Sequence, residues 1–216
     1  MLEKIIHKFF GSKPETPVPQ SPPIMDRPII FSDESIVQIL LDRKTQTRRA
    51  LRKQPKFSIC PLPASPSGYA YTDADDKPKR HVPGCPYGKV GDRLWVREWW
   101  TTEHRAFDGE PSENFRAQVT SHSERLYYRS DSPDIRDSRY WRNPIFMPRW
   151  ASRLTLEITG IRLERVHDIS CADVLAEGCR GSDWHEYAEL WDHLNARRGF
   201  DWEGNPWIWV LEFRRV

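Results

Sequence analysis

The sequence predicts an α+β fold in which helices flank a small antiparallel or mixed β-sheet that closes into a barrel. Three observations predict this class. Short runs of alternating polar and apolar residues recur along the chain, as they do in half-buried strands. Turns or irregular loops join most of these runs, whereas the strands of a parallel sheet need crossover helices. The remaining segments with clear periodicity have the spacing of helices.

The strands are predicted from alternation and from apolar runs bounded by turn residues. In chain order they cover residues 28–31, 93–98, 125–129, 153–158, 161–166 and 206–213. Thr159 and Gly160 separate two of these runs, and this spacing predicts a β-hairpin or two adjacent strands.

Three helices are predicted from apolar spacing and from the residues that begin and end them. The first follows Ser32 or Asp33, either of which can cap it. The second begins at Ser170 with the pattern of a capping box and ends at Gly178. The third covers residues 185–198. Its shared face comprises Tyr187, Leu190, Trp191 and Leu194.

The domain organisation follows from the distribution of Pro, Gly and Ser. Residues 1–24 contain a Pro-rich stretch and are interpreted as a flexible N-terminal extension, with a docked arm as the alternative. Residues 25–216 form one domain, in line with roughly 100–200 residues per domain. Residues 54–90 and 103–148 lack periodicity and are interpreted as long loop insertions, which are often functional.

Composition excludes several classes of protein. The chain has 33 Lys and Arg against 31 Asp and Glu, a formal charge of +2, which argues against non-specific coating of nucleic acid. No apolar run reaches the roughly 18 residues of a membrane span. Four cysteines and no signal peptide indicate a reducing cytoplasm. Cys60 and Cys85 lack the spacing of a zinc site and are interpreted as buried or half-buried thiols, so we expect no metal.

The first candidate for chemistry is the basic run 43–49, with four cations and two threonines in seven residues. A solvated basic loop is the simplest interpretation. If the run curves into the mouth of a pocket, Lys44 and Thr47 can converge, and a hydroxyl beside a lysine forms a nucleophile–base pair. Such a lysine must lose its proton, which burial and the neighbouring Arg48 and Arg49 favour.

Acidic and aromatic residues supply the other candidates. Asp173 and Glu177 lie four residues apart, on one face of the second helix, where solvation and capping are the simplest interpretation. Glu177 falls at the helix C-terminus, where the dipole disfavours a carboxylate, so a specific role or a cationic partner is predicted. Aromatic residues and Arg are dense in Trp95–Trp100, Tyr140–Trp150 and Trp202–Trp209. Most of the aromatic rings are expected in the core, and one or two can floor a pocket for a nucleobase.

The run 41–49 (LDRKTQTRR) resembles the signature of the ASCH family, Gly-x-Lys-x-x-x-x-Arg after a short helix. Lys44 and Arg49 fit this spacing, and Asp42 stands at the Gly position. The strand, helix and closing strand that follow in ASCH proteins are similar to residues 91–98, 169–177 and 209–213. The resemblance spans about residues 26–216, and segments such as RPIIFS and MPRWASR are similar to those of prophage proteins.

The resemblance implies a PUA-like mixed β-barrel and a small modified nucleoside as the ligand. The best-defined ASCH enzymes are bacterial amidohydrolases that remove the acyl group from N4-acetylcytidine without a cofactor. They use a Lys, a Thr three residues later and a Glu on the downstream helix. The matching catalytic positions are Lys44, Thr47 and Glu177. The candidate substrate-binding residues are Arg48, Arg49, Trp95 and Glu98.

In the expected reaction, Lys44 takes the proton of Thr47, Thr47 Oγ attacks the acyl carbon, and Glu177 orients or protonates the cytosine amine. Arg49 or a backbone N–H stabilises the oxyanion. Direct attack by an activated water is an alternative with the same residues. Two other functions stay open: a non-catalytic module that binds RNA or a modified base, and an ASCH-type ribonuclease.

Overall fold

The computed structural model describes residues 23–65, 67–102, 126–131 and 141–216. Residues 1–22 of the predicted extension and most of the predicted insertion at 103–148 lie outside these residues. Across the described part of the chain, every helix is too short or too polar to span a membrane.

Runs of consecutive strands are separated by only three α-helices along the described residues, an α+β arrangement that confirms the predicted class. The strands are β1 (Asp26–Ile30), β2 (Gln46–Ala50), β3 (Ile59–Pro61), β4 (Tyr69–Thr72), β5 (Pro78–His81), β6 (Arg93–Arg97), β7 (Trp100–Thr102), β8 (Leu126–Tyr128), β9 (Thr155–Arg165) and β10 (Trp207–Arg215). The helices are α1 (Asp33–Leu40), α2 (Cys171–Ala176) and α3 (Trp184–Asn195), each within one or two residues of its predicted start.

The main sheet has five strands in the order β1-β6-β9-β10-β2. β1 and β6 run parallel, and the other neighbouring pairs are antiparallel. A smaller antiparallel sheet, β3-β4-β5, and a two-stranded ribbon, β7-β8, accompany it. The main sheet is therefore mixed, as predicted.

The predicted barrel is not closed in the described part of the chain, because β1 and β2 remain the two edges of the main sheet. A side chain bridges these edges instead of a backbone ladder. The guanidinium of Arg49 donates to the carbonyl of Ile30 at 2.7 Å and lies 5.1 Å from the ring centroid of Phe31. The gap between the two edges is where the cavity described below opens.

The strand β10 is buried on both faces, which explains its nearly continuous apolar sequence. Ile208 and Val210 pack in one cluster with residues of α2 and α3. Leu211 and Phe213 pack in another cluster with residues of α1, β6 and β9. This strand thus fixes α1 and the α2–α3 pair relative to the same sheet.

The segment 54–90 is not the irregular loop that its Pro and Gly content predicts, because β3, β4 and β5 lie within it. These strands have only three or four residues, too few for alternation to stand out among turn residues. Ile59 and Val82 from this segment pack with Leu163 and Trp209 of the main sheet. Such packing is what a small sheet needs for stability.

The predicted hairpin around Gly160 is wrong, because β9 runs unbroken from Thr155 to Arg165. Gly160 pairs with Glu212, next to a register shift between Glu212 and Phe213. A Cβ at Gly160 would overlap the Glu212 carboxylate. The glycine therefore permits a close approach between strands rather than a turn.

Candidate functional site

A tight turn after α1 brings the basic run into the interior. Ser32 caps α1 by accepting a hydrogen bond from the Ser35 N–H at 3.3 Å. After the helix, Asp42 takes a φ of +55°. Glycine adopts this left-handed conformation most easily, and Asp is one of the few other residues that tolerate it. The Thr45 N–H then donates to the Ala176 carbonyl at 2.9 Å, which joins the run to the end of α2.

Lys44 and Glu177 form a buried ion pair, with 5% and 6% of each residue exposed. Lys44 Nζ donates to Glu177 Oε2 at 2.6 Å and to the Glu177 backbone carbonyl at 2.7 Å. Because Glu177 caps the C-terminus of α2, the ammonium group also meets the negative end of the helix dipole. A cationic partner, one of the two explanations that the sequence suggests for Glu177, is therefore present in the structure.

Arg48 is the second cation on Glu177. Its buried side chain donates to Glu177 Oε1 at 3.2 Å and to Glu164 at 2.8 Å, and it lies 3.2 Å from Asp173. Burial alone would lower the pKa of Arg48, but Glu177 and the other carboxylates raise it above its ordinary value. Arg48 is thus a fixed cation that orients Glu177, and its donors are largely committed to protein carboxylates.

Arg162 extends this network on the main sheet. It donates to Asp173 at 2.7 Å, to Glu164 at 2.9 Å and to Glu212. Burial alone would raise the pKa of Asp173, but hydrogen bonds from Ser170 and the charge of Arg48 hold it at about 2. Arg162 and Glu164 are not among the predicted site residues. Their signal in the sequence is two opposite charges at a spacing of two, which places them on one face of a strand.

A cavity of about 300 Å³ opens beside the Lys44–Glu177 pair. Its charged and hydroxyl lining includes Lys44, Thr47, Arg48, Arg49, Glu177 and Arg198. Its aromatic lining comprises Phe31, Trp99, Tyr187 and Trp191. The structure therefore brings together the three predicted catalytic residues and two of the predicted substrate-binding residues. The volume lies at the lower end of the range for small-molecule sites, and the mixed lining suits a small planar polar ligand.

Trp95 and Glu98, the other two predicted substrate-binding residues, do not line this cavity. Trp95 is buried on β6, with the Arg97 guanidinium 4.5 Å from its ring centroid. Glu98 is buried and accepts hydrogen bonds from Arg153 at 2.9 and 3.0 Å. The tryptophan of this segment that lines the cavity is Trp99, which the sequence marks only as one of a cluster.

The cysteines and acidic residues do not gather as a metal site would. Cys60 and Cys85 are half-buried free thiols, as predicted. Among the residues that the structure describes, no group of three His, Cys, Asp or Glu side chains is placed to hold a metal ion. The carboxylates of Glu164, Asp173 and Glu177 instead share ion pairs with the Arg48 guanidinium.

The fold and the cavity together define a mixed α+β protein with a small cationic and aromatic site at the open edge of its main sheet. No family model and no curated protein matches the chain. Protein EF3133 from Enterococcus faecalis V583, whose structure is described with the family model DUF984, is 12% identical with a TM-score of 0.39, over 91% of this chain and 82% of that one. An ASCH domain from Lactobacillus crispatus JV V101 is 10% identical with a TM-score of 0.41, over 88% and 79%. Likenesses this distant assign neither fold family nor function to this chain.

Proposed function

We propose that this protein is an amidohydrolase that removes the acyl group from an N4-acylated cytidine or cytosine. One observation carries the proposal: Lys44, Thr47 and Glu177, the positions that match the ASCH amidohydrolases, line a single cavity. Lys44 and Glu177 are 133 residues apart in the chain, so their contact is a property of the fold. The aromatic lining of the same cavity supports a planar base as the ligand.

The ion pair sets the protonation state from which the reaction starts. Because Glu177 Oε2 lies 2.6 Å from Nζ, Lys44 rests as an ammonium ion and cannot accept a proton. It becomes a base only after its proton passes to Glu177 within the pair. In this scheme Glu177, and not only the neighbouring arginines, allows Lys44 to act as a base. Glu177 then holds the proton that the departing nitrogen will take.

Acylation of Thr47 is the first chemical step. Thr47 Oγ attacks the acyl carbon while its proton moves to Lys44 Nζ, and the carbonyl oxygen becomes an oxyanion. Arg49, a fixed cation of the cavity lining, stabilises that charge. When the intermediate collapses, the C–N4 bond breaks and Glu177 gives its proton to the departing nitrogen. The products are a cytosine amine and an acyl ester of Thr47.

Deacylation reverses the proton path. A water attacks the ester and gives one proton to the Glu177 carboxylate. The ester bond breaks, the carboxylic acid leaves, and Thr47 Oγ takes a proton from Lys44. Return of the Glu177 proton to Lys44 restores the ion pair. Arg48 keeps Glu177 in position throughout, because it holds the other carboxylate oxygen.

The test is the release of cytidine from N4-acetylcytidine, separated by chromatography. The wild type should release cytidine, and Lys44→Met should be slower by roughly a thousandfold or more, as for other residues that act as a catalytic unit. Arg43→Met is the matched control, since Arg43 is an exposed cation one position earlier that does not line the cavity. A folded wild type that releases no cytidine would overturn the proposal.

A module that binds a modified base without cleaving it is the second candidate. The observation that favours it is the saturated charge network, in which Lys44 holds a proton and Arg48 is shared by three carboxylates. For such a module, Thr47→Val should leave the affinity for cytidine unchanged. Neither the wild type nor any variant should release cytidine from N4-acetylcytidine. Calorimetric titration with cytidine, run beside the chromatographic assay, separates the two functions.

A further inference from the structure

One wall of the cavity is better suited than the others to hold a planar base. Of the four aromatic side chains in the lining, Phe31, Tyr187 and Trp191 are only 4%, 3% and 2% exposed, so little of each ring can meet a ligand. Trp99 is half-buried and offers much more of its ring surface. It lines the same cavity as Lys44.

Trp99 is held in place by Arg129. The Arg129 guanidinium carbon lies 4.4 Å from the centroid of the Trp99 ring. The backbone N–H of Arg129 donates to the backbone carbonyl of Trp99 at 3.0 Å. Arg129 Nε also donates to the carboxylate of Asp33, in the first turn of α1, at 2.5 Å. The Arg129 guanidinium lies over the indole ring, and the same ring contributes to the cavity lining, so its position beside the cavity is fixed by Arg129.

We infer that Trp99 is the platform on which the cytosine ring of the ligand stacks, and that Arg129 is a positioning residue that fixes this platform through Asp33. The inference rests on the proposed function for the identity of the base. In a cavity of about 300 Å³, a base on Trp99 shares its space with Lys44 and Thr47. Stacking on an aromatic side chain strengthens binding of a base by roughly 5- to 150-fold.

The test measures the Kd of cytidine by calorimetry and the KM and kcat for N4-acetylcytidine. The variants are Trp99→Ala, Trp99→Phe and Arg129→Met. Trp207→Ala is the matched control, because Trp207 is also half-buried and has the Arg165 guanidinium 4.7 Å from its ring centroid, but does not line the cavity.

The expected result is a split between binding and chemistry. Trp99→Ala should raise the Kd of cytidine and the KM about tenfold or more, with a smaller change in kcat, and Trp99→Phe should recover part of the loss. Arg129→Met should raise the same constants by less, and Trp207→Ala should leave them unchanged. Should Trp99→Ala not fold, Trp99→Phe and Arg129→Met carry the test, with a partial rise in KM expected for both.

The outcomes separate this inference from the proposed function. If Trp99→Ala changes neither the Kd nor the KM, or if Trp207→Ala changes them equally, Trp99 is not the stacking platform, even when cytidine is released. Cytidine binding that depends on Trp99 without hydrolysis supports the platform and overturns the amidohydrolase. A wild type that neither binds cytidine nor cleaves N4-acetylcytidine contradicts both.

Discussion

Glu177 is the residue on which the charges of the site converge. Lys44 contacts one of its carboxylate oxygens and Arg48 the other, and all three residues are buried. Removing one member of a buried ion pair leaves an uncompensated charge, which typically costs about 3–5 kcal/mol. The site is therefore also a determinant of stability.

Glu177→Gln is expected to lower the free energy of unfolding by about 3 kcal/mol, because two buried cations lose their shared carboxylate. Urea denaturation measures this change. Glu164→Gln is the matched control, since Glu164 is half-buried and Arg48 keeps Glu177 and Asp173 when it is replaced. Its cost should be about 1 kcal/mol. Equal losses of unfolding free energy in the two variants would show that Glu177 contributes no more to stability than Glu164 does.

Asp173 gives the stability a defined pH dependence. Its pKa in the folded protein is about 2, below the roughly 3.9 of an unfolded chain, so its contribution is complete above about pH 5 and is lost as the pH falls toward 2. Asp173→Asn should therefore be less stable than the wild type at pH 6, with the difference shrinking at lower pH. Unfolding by urea at several pH values measures it, with the exposed Asp75→Asn as the control. A difference that is constant with pH would contradict this assignment.

At the residue scale, the sequence locates the residues of the proposed catalytic centre better than the tryptophan on which we infer that the base stacks. Lys44 and Thr47 could be named because a lysine and a hydroxyl lie close together in one short run, and the resemblance to ASCH enzymes adds Glu177 to them. Trp95 and Trp99 could not be told apart, since both are tryptophans of one segment. Which of them meets the cavity depends on where β6 ends and on the contact of Trp99 with Arg129, and neither is encoded in alternation.

The end of α2 shows how an element holds the site together. Gly178 follows Glu177 with a φ of +88°. A Cβ there would lie 3.0 Å from Gln38 Cβ and 3.1 Å from Lys44 Cβ. The glycine thus lets the end of α2 approach the turn after α1 closely enough for the Lys44–Glu177 pair to form.

Gly178→Ala should disturb both stability and activity. The left-handed φ alone costs about 1–2 kcal/mol for a residue with a Cβ. The close contacts would also force Gln38 and Lys44 to shift by a few tenths of an ångström. We expect cytidine release to fall by up to roughly a hundredfold. Gly199→Ala is the matched control, because its φ is +78° but nothing lies within 4 Å of the added Cβ. It should lose stability and keep its activity, whereas equal effects on activity would refute the role of the contact.

Elements with strong local signals were predicted well, and those fixed by distant contacts were not. The capping box at Ser170 and the glycine Gly178 mark the start and the end of α2 directly in the sequence. Glycine is typical of turns, so the sequence predicts a turn at Gly160. In the structure Gly160 lies within β9 instead, and its lack of a side chain makes room for Glu212 of β10. The strands of 54–90 are likewise stabilised by packing against Leu163 and Trp209.

For the whole molecule, the open edge of the main sheet is where the cavity lies. The α+β class follows from the order of strands and helices, but closure of a barrel depends on pairing between β1 and β2, which alternation does not report. In the described residues Arg49 spans these edges, and the cavity lies beside it. The cavity has a surplus of cations in a chain whose formal charge is only +2.

The proposed ligand is a neutral nucleoside, and its neutrality predicts the salt dependence of binding. A neutral nucleoside releases few counterions, so its KM should change less than about twofold between roughly 50 and 500 mM salt. RNA bound through several phosphates would lose affinity steeply over the same range, by orders of magnitude. Steady-state hydrolysis at a series of salt concentrations makes the measurement. A KM that rises steeply for the nucleoside would contradict recognition of a neutral ligand.

The most direct test of the central claim is the rate of cytidine release by Thr47→Val, which replaces a buried hydroxyl by a methyl group of similar shape. The account predicts a loss of roughly a thousandfold or more in Thr47→Val and substantial activity in Thr47→Ser. Thr45→Val, at an exposed threonine two positions earlier that does not line the cavity, should match the wild type. Release of cytidine by Thr47→Val at the wild-type rate would contradict the assignment of Thr47 as the nucleophile.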